Sequence, residues 1–285
     1  MSQPLQESVE PLNILWSGDH GTGKTTDLCA MAHYGRIWVA NVEQGVKARA
    51  LRKHGIPVDK IEIWPGEGEV FSWEGIEKEW VRIREDLDKD PKSWAGVGID
   101  SVTELQQKFA GLVGAAAVKK AAGRGVDRNP SVMDQDNWRE ANWYVTELMR
   151  RFRDLPCHFG MTALPRREQD PDGRVSYVPS VSPSIQTPLT GLVDIICWTE
   201  TYDFDDEDEE EFQGRFKRRG TTRGKDRFRV MPKAIVDPTF DRIQQYIDGD
   251  LDIDNDVLMS AAKKRREALE KKAAAEAKAE EPAAA

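Results

Sequence analysis

The octapeptide Gly18-Asp19-His20-Gly21-Thr22-Gly23-Lys24-Thr25 constrains this chain more than any other feature. It matches G-x-x-x-x-G-K-[ST] and lies between a short apolar run and a helical pattern. Residues 12–17 read as a buried strand entering the glycine-rich turn, and a helix is predicted to start there and continue to about residue 34. Glycines let the backbone curl until successive N–H groups converge on phosphate oxygens, and the helix N-terminus adds a dipole that favours their charge. In that geometry Lys24 reaches the β- and γ-phosphates of a nucleotide, and the Thr25 hydroxyl ligates magnesium. Gly18, Asp19, His20, Gly21, Thr22, Gly23, Lys24, Thr25 and Thr26 are therefore candidate nucleotide-binding residues, with ATP and Mg2+ as the implied cofactors. No base-reading motif separates ATP from GTP.

Beyond the loop the pattern alternates between strand and helix. Strands are predicted at 37–42, 61–64, 95–100, 158–163 and 193–199, and helices at 46–53, 71–87, 101–122 and 137–153. Such alternation predicts an α/β fold, with a mostly parallel central sheet and helices on both faces. The polar stretch 166–177 reads as a mobile hairpin. A length of 285 residues with 39% hydrophobic content suits one main core with appendages. We assign a polar lead to 1–11, the domain to 12–250, and a charged helical or disordered tail to 251–285.

Charge and cysteine content narrow the class further. A net charge of -9 excludes a uniformly basic nucleic-acid binder, so any such contact must come from local clusters. Cys29, Cys157 and Cys197 are widely spaced and odd in number, which predicts buried thiols in a reducing compartment. The start is polar, and no apolar run approaches the roughly 20 residues of a membrane span. The expectation is a soluble, cytoplasmic protein without a membrane partner.

Turnover of a nucleotide needs two more groups. A metal-orienting carboxylate belongs at the end of a buried strand facing the phosphates, and Asp100, closing Gly96-Val97-Gly98-Ile99, meets that description. An aspartate before a helix also suits an N-cap. The second group must position or deprotonate water, and Glu43, just past the strand at 37–42, is the candidate. A solvated loop glutamate is the plainer reading. No acid directly follows Asp100, which places more weight on Glu43.

At these residues the chain resembles the RecA-like P-loop ATPases, and most closely the phage nucleotide-binding proteins of the single-strand annealing, Sak-four-like type. The resemblance runs over roughly residues 12–248. Its carriers are the loop with its double threonine Thr25-Thr26, the segment Trp38-Val39-Ala40-Asn41-Val42-Glu43, and Val97-Gly98-Ile99-Asp100-Ser101. It implies that Glu43 activates water, that Asp100 orients magnesium, and that a polar residue ending the next strand senses the γ-phosphate. Thr162 occupies that place; RecA itself carries a longer amide side chain there, a departure that tells against strong DNA-coupled hydrolysis. The resemblance also implies a phosphate-loop strand near the sheet centre and DNA-contacting loops after the Asp100 and Thr162 strands.

Basic residues fall in those loops. Lys119, Lys120, Arg124 and Arg128 follow the helix after Asp100, while Arg166 and Arg167 follow the Thr162 strand. Solvated loops carry the same residue types. Lys225 and Arg227 precede a predicted strand at 228–231, where RecA-like assemblies resemble one another in reaching a neighbour's phosphates; the active form would then be a homo-oligomer. A basic strand edge that discourages aggregation is the alternative. The acidic run 203–211 stands before the basic block 215–229 and reads as a connector or as its neutralising partner. His20, His33, His54 and His158 lack metal-ligand spacing, and Trp73, Trp80, Trp138 and Trp143 fall at helical spacing, which predicts core faces.

Three functions fit these features. The first is an ATP-hydrolysing recombination protein that binds single-stranded DNA and promotes annealing, with a single-strand-binding protein as a further partner. The second is a nucleotide-regulated accessory ATPase of replication or packaging that does not handle DNA. The third is a small-molecule kinase using 166–174 as a lid, which the acid at Glu43 and the end of the Asp100 strand fit less well than hydrolysis.

Overall fold

The computed structural model describes residues 10–129, 132–203, 210–217 and 224–251. Most of the polar lead, the acidic run at 204–209 and the tail beyond residue 251 lie outside them. The chain opens with β1 (Asn13–Gly18), the phosphate loop and α1 (Lys24–Cys29), which tightens into a 3-10 turn at Ala30–His33. Then come β2 (Ile37–Asn41), α2 (Ala48–Lys53), β3 (Ile61–Trp64), α3 (Trp73–Lys89), β4 (Gly96–Asp100), α4 (Val102–Ala122) and α5 (Gln135–Arg153). The second half comprises β5 (His158–Ala163), the hairpin of β6 (Pro165–Gln169) and β7 (Val175–Pro179), α6 (Pro183–Leu192), β8 (Ile195–Asp203), β9 (Glu210–Arg215), β10 (Lys225–Asp226), β11 (Ala234–Val236) and α7 (Phe240–Asp248).

Among the described residues nine strands form one sheet in the order β11-β9-β8-β1-β5-β4-β2-β3, with β10 also on β8. From β3 to β8 every neighbouring pair is parallel. The expected α/β architecture is therefore present, with the phosphate-loop strand near the middle. Parallel strands covered on both faces must be apolar throughout, and β2 and β4 are buried at every position. The antiparallel extension through β9 and β11 was not legible, because β9 starts inside a run of acids that reads as solvated.

The strand expected at 228–231 does not form. Arg229 adopts a positive φ of 63°, and both carboxylate oxygens of Asp226 accept backbone N–H groups, from Arg229 and Met231. That side chain closes a turn, and the next strand begins only at Ala234.

Helices α3 to α6 cover one face over Trp38, Trp94, Phe109, Phe152 and Phe159; α1, α2 and α7 cover the other over Trp16, Leu28, Met31 and Phe240. Helix α1 lies close to the sheet because β4 offers no side chain under it: a Cβ on Gly98 would stand 2.8 Å from Leu28 Cδ2. Trp73 and Trp80 pack half-buried against the core, but Trp138 is 36% exposed and Trp143 53% exposed, contrary to the core placement expected for them. The buried stripe of α5 runs through Ala141, Val145, Leu148, Met149 and Phe152. Trp143, two residues from both Ala141 and Val145, lies about 160° round the helix from each and so faces away from that stripe. Cys29, Cys157 and Cys197 are buried free thiols, as expected, and burial pushes Cys157 up to about 12. Among the described residues no helix is long and apolar enough to cross a membrane.

His158 gives the fold a pH dependence. Its Nδ1 accepts the Leu12 N–H at 3.0 Å at the start of β1, and burial lowers its pKa from 6.5 to about 4. Between these values the unfolded chain holds a proton that the folded one refuses. The stability involved is thus complete above about pH 6.5 and lost as pH falls towards 4, by roughly 3 kcal/mol at most. Denaturant unfolding at pH 7 and pH 4.5 measures it. His158→Asn, whose side-chain oxygen can accept the same N–H without titrating, is expected to lose less stability over that interval than the native chain. An equal loss would assign the effect to other groups.

Candidate functional site

The phosphate loop forms between β1 and α1 as its glycines allow. Gly21 and Gly23 take positive φ angles of 77° and 82°, a region that costs a side-chain-bearing residue energy, and Gly23 is the residue from which α1 starts. Thr22 ties the loop down, donating to the Asp19 carbonyl and sharing a 2.8 Å hydrogen bond with Thr199 of β8. Lys24 folds back over the loop, its Nζ donating to the carbonyls of Gly18 at 2.9 Å and Asp19 at 2.5 Å. Residues His20 to Thr26 line one cavity of about 510 Å3, together with Glu43 and Asp100.

Sheet register brings the acids to that cavity. Asp100 stands opposite Asn41 of β2, and Thr162 lies beside Trp16 of β1, so these residues share the carboxyl edge on which parallel α/β sheets place ligands. Asp100 is 2% exposed; its Oδ2 accepts the Thr25 hydroxyl at 3.0 Å and its Oδ1 accepts the Thr162 hydroxyl at 2.5 Å. The helix-cap alternative for Asp100 does not apply, because Ser101 is the N-cap of α4, its Oγ accepting from Glu104 N–H. Thr162 is fully buried behind Asp100 and holds that carboxylate; the cavity wall does not include it, unlike the sensor place expected.

Glu43 reaches the cavity by a backbone device. Its N–H donates to the Asp100 carbonyl at 3.0 Å, and Asn41 accepts the Gln44 N–H with its carbonyl and the Val46 N–H with Oδ1. Asn41 thereby shapes the turn that presents Glu43, with Gln44 at φ 59°. Gly45 passes so near that an added Cβ would stand 3.0 Å from Asp100 Oδ2 and 3.4 Å from Thr25 Oγ1. Neither Asn41 nor Gly45 was picked out as a site residue from the sequence, since nothing local marks an approach between segments so far apart in the chain.

The electrostatics suit a cation beside a polyanion. Burial lowers the Lys24 pKa, against the pull of Glu43, Asp100, Asp19 and Asp27. Burial raises that of Asp100, against the hydrogen bonds from Thr162 and Thr25. Burial, then Asp237, raises Asp27 well above the usual carboxylate range. Thr25 Oγ1 and Asp100 Oδ2 are hard oxygen donors at hydrogen-bond distance, the donor type that magnesium takes while keeping waters and phosphate oxygens as its other ligands. These residues fit that ion.

The basic candidates divide. Lys119, Lys120, Arg124 and Arg167 are exposed. Arg128 pairs with Asp134 at 3.0 Å and Arg166 with Glu168 at 2.5 Å. Lys225 donates to the carbonyls of Thr190 and Val193, and Arg227 pairs with Asp194 at 2.7 Å. Both sit by the first residues of β8, at the end of the sheet opposite the phosphate loop, so the reach towards a neighbour's phosphates expected of them would have to break these contacts.

No curated protein matches the sequence. Among solved structures the chain is similar to a KaiC-like protein from the hyperthermophilic archaeon Pyrococcus horikoshii, 14% identical over 80% of this chain and 90% of that one, with a TM-score of 0.43. The family profile described as the AAA domain matches residues 10–228, which takes in the phosphate loop, Glu43, Asp100 and every strand of the parallel sheet. The chain belongs to that AAA domain family and is a P-loop protein of the ATPase class.

Proposed function

We propose that the chain hydrolyses ATP with Glu43 as the water-activating base, and that it acts on DNA in recombination or single-strand annealing of the phage type. The observation that carries the first half is the convergence of Lys24, Thr25, Asp100 and Glu43 on one cavity. Lys24 and the loop N–H groups bind and orient the β- and γ-phosphates, excluding alternative poses. Thr25 and Asp100 hold magnesium, which supplies charge neutralisation at the phosphate oxygens when bound. Thr162 keeps Asp100 turned towards Thr25. Glu43, exposed at the cavity edge, takes the proton of a water that attacks the γ-phosphorus while the bond to the β–γ bridging oxygen breaks and ADP leaves with that electron pair.

The DNA reading is supported by exposed Lys119, Lys120, Arg124 and Arg167, and homo-oligomer formation belongs to it. Its test is retention of a labelled single-stranded oligonucleotide with ATP and magnesium over a salt series. Binding that weakens steeply with salt is expected, and a shallower slope when Arg167 and Lys120 become glutamate. No retention at low salt would remove the DNA half. One observation favours the accessory ATPase instead: Arg128 and Arg166 are already neutralised by acids of the same chain. Nucleotide turnover without retention is the outcome expected of that alternative.

A further inference from the structure

The cavity that the phosphate loop lines is also lined by Phe212 of β9 and by Asp27, Asp237 and Asp241. Phe212 stands against the loop itself: its Cδ1 lies 3.6 Å from where a Cβ on Gly23 would be. Asp27 is 4% exposed, and its Oδ2 is buried without a hydrogen-bond partner; Asp241 Oδ1 is in the same state. Among the described residues none of the three acids forms an ion pair, and no group of three His, Cys, Asp or Glu side chains is arranged to hold a metal ion.

An acceptor buried without a donor costs about 1–3 kcal/mol, and folds keep such groups where something else completes them. What completes these must bring donors and no negative charge, must lie next to bound phosphates, and must tolerate an aromatic ring. A second cation is disfavoured by the arrangement of the acids, and a further phosphate by their charge. A nucleoside has the required chemistry: sugar hydroxyls and an exocyclic amine as donors, and a flat base for the ring. We infer that Phe212, Asp27, Asp237 and Asp241 form the nucleoside end of the site, taking an amine-bearing purine nucleotide by its sugar hydroxyls and base amine. This rests on the phosphate loop binding a triphosphate, as proposed above. Sequence motifs gave no base-reading element because these residues come from three segments, brought together by the pairing of β8, β9 and β11.

The test compares ligands by calorimetry in the presence of magnesium. The native chain is expected to bind ATP about tenfold more tightly than inorganic tripolyphosphate or ATP analogues lacking the sugar hydroxyls or carrying a dimethylated base amine. Asp241→Asn is expected to weaken ATP binding by about tenfold and leave tripolyphosphate binding unchanged. Equal affinity for ATP, both analogues and tripolyphosphate overturns the inference while the phosphate site stands, as does an Asp241→Asn variant that binds ATP normally. Binding of neither ATP nor tripolyphosphate by the native chain overturns the triphosphate reading, and this inference with it.

Discussion

Exchanging Glu43 for glutamine is expected to slow phosphate release from ATP by about 100-fold or more while leaving the affinity for magnesium and ATP within about threefold. The exchange preserves shape, so the backbone hydrogen bond from residue 43 to the Asp100 carbonyl and the turn shaped by Asn41 are retained. What disappears is a group able to accept a proton from water. Glu43 also repels a polyanion, being the foremost charge acting on Lys24, so its neutralisation moves affinity towards tighter binding if at all. Phosphate release and calorimetric binding, measured on the same preparation, separate the two effects. A Glu43→Gln variant that turns over normally would leave the cavity as a nucleotide binder whose water is activated elsewhere.

Lys24→Ala is expected to weaken ATP binding by about 100-fold. Among the described residues lining the cavity Lys24 is the one lysine or arginine, against Glu43, Asp100, Asp27, Asp237 and Asp241 on the walls. Without it a triphosphate enters a site whose side chains carry no positive charge, supported by backbone dipoles and the magnesium ion alone. A charge-assisted hydrogen bond is worth about 1.5–3 kcal/mol, and each 1.4 kcal/mol is a factor of ten in affinity. Because burial already lowers the Lys24 pKa, the fold is not expected to depend on this charge, and the thermal transition should move little. Unchanged ATP affinity in a folded variant would place the phosphates somewhere other than this loop.

Legibility followed the range of the interactions. β3 and β5 were read to their ends, since an apolar strand bounded by polar residues is a local signal. Helix starts were less sharp: α5 begins at Gln135, two residues before the expected start, because Asp134 accepts the Asn137 N–H and nucleates it there. The exposure of Trp143 was misread because spacing alone does not say which side of a helix the core will take. The strand expected at 228–231 failed against one aspartate side chain whose two hydrogen bonds no propensity encodes.

From the sequence alone came the phosphate loop, the alternating α/β order and the two acids at strand ends, because each depends on residues adjacent in the chain. Only the tertiary structure decided that Thr162 holds Asp100 and lies off the cavity wall, that Gly45 leaves room beside Thr25, that Lys225 and Arg227 stand at the far end of the sheet, and that Phe212 closes against Gly23. Each of these depends on strand order and register across the sheet, which arise from burying two apolar faces at once and are written in no single segment of the chain.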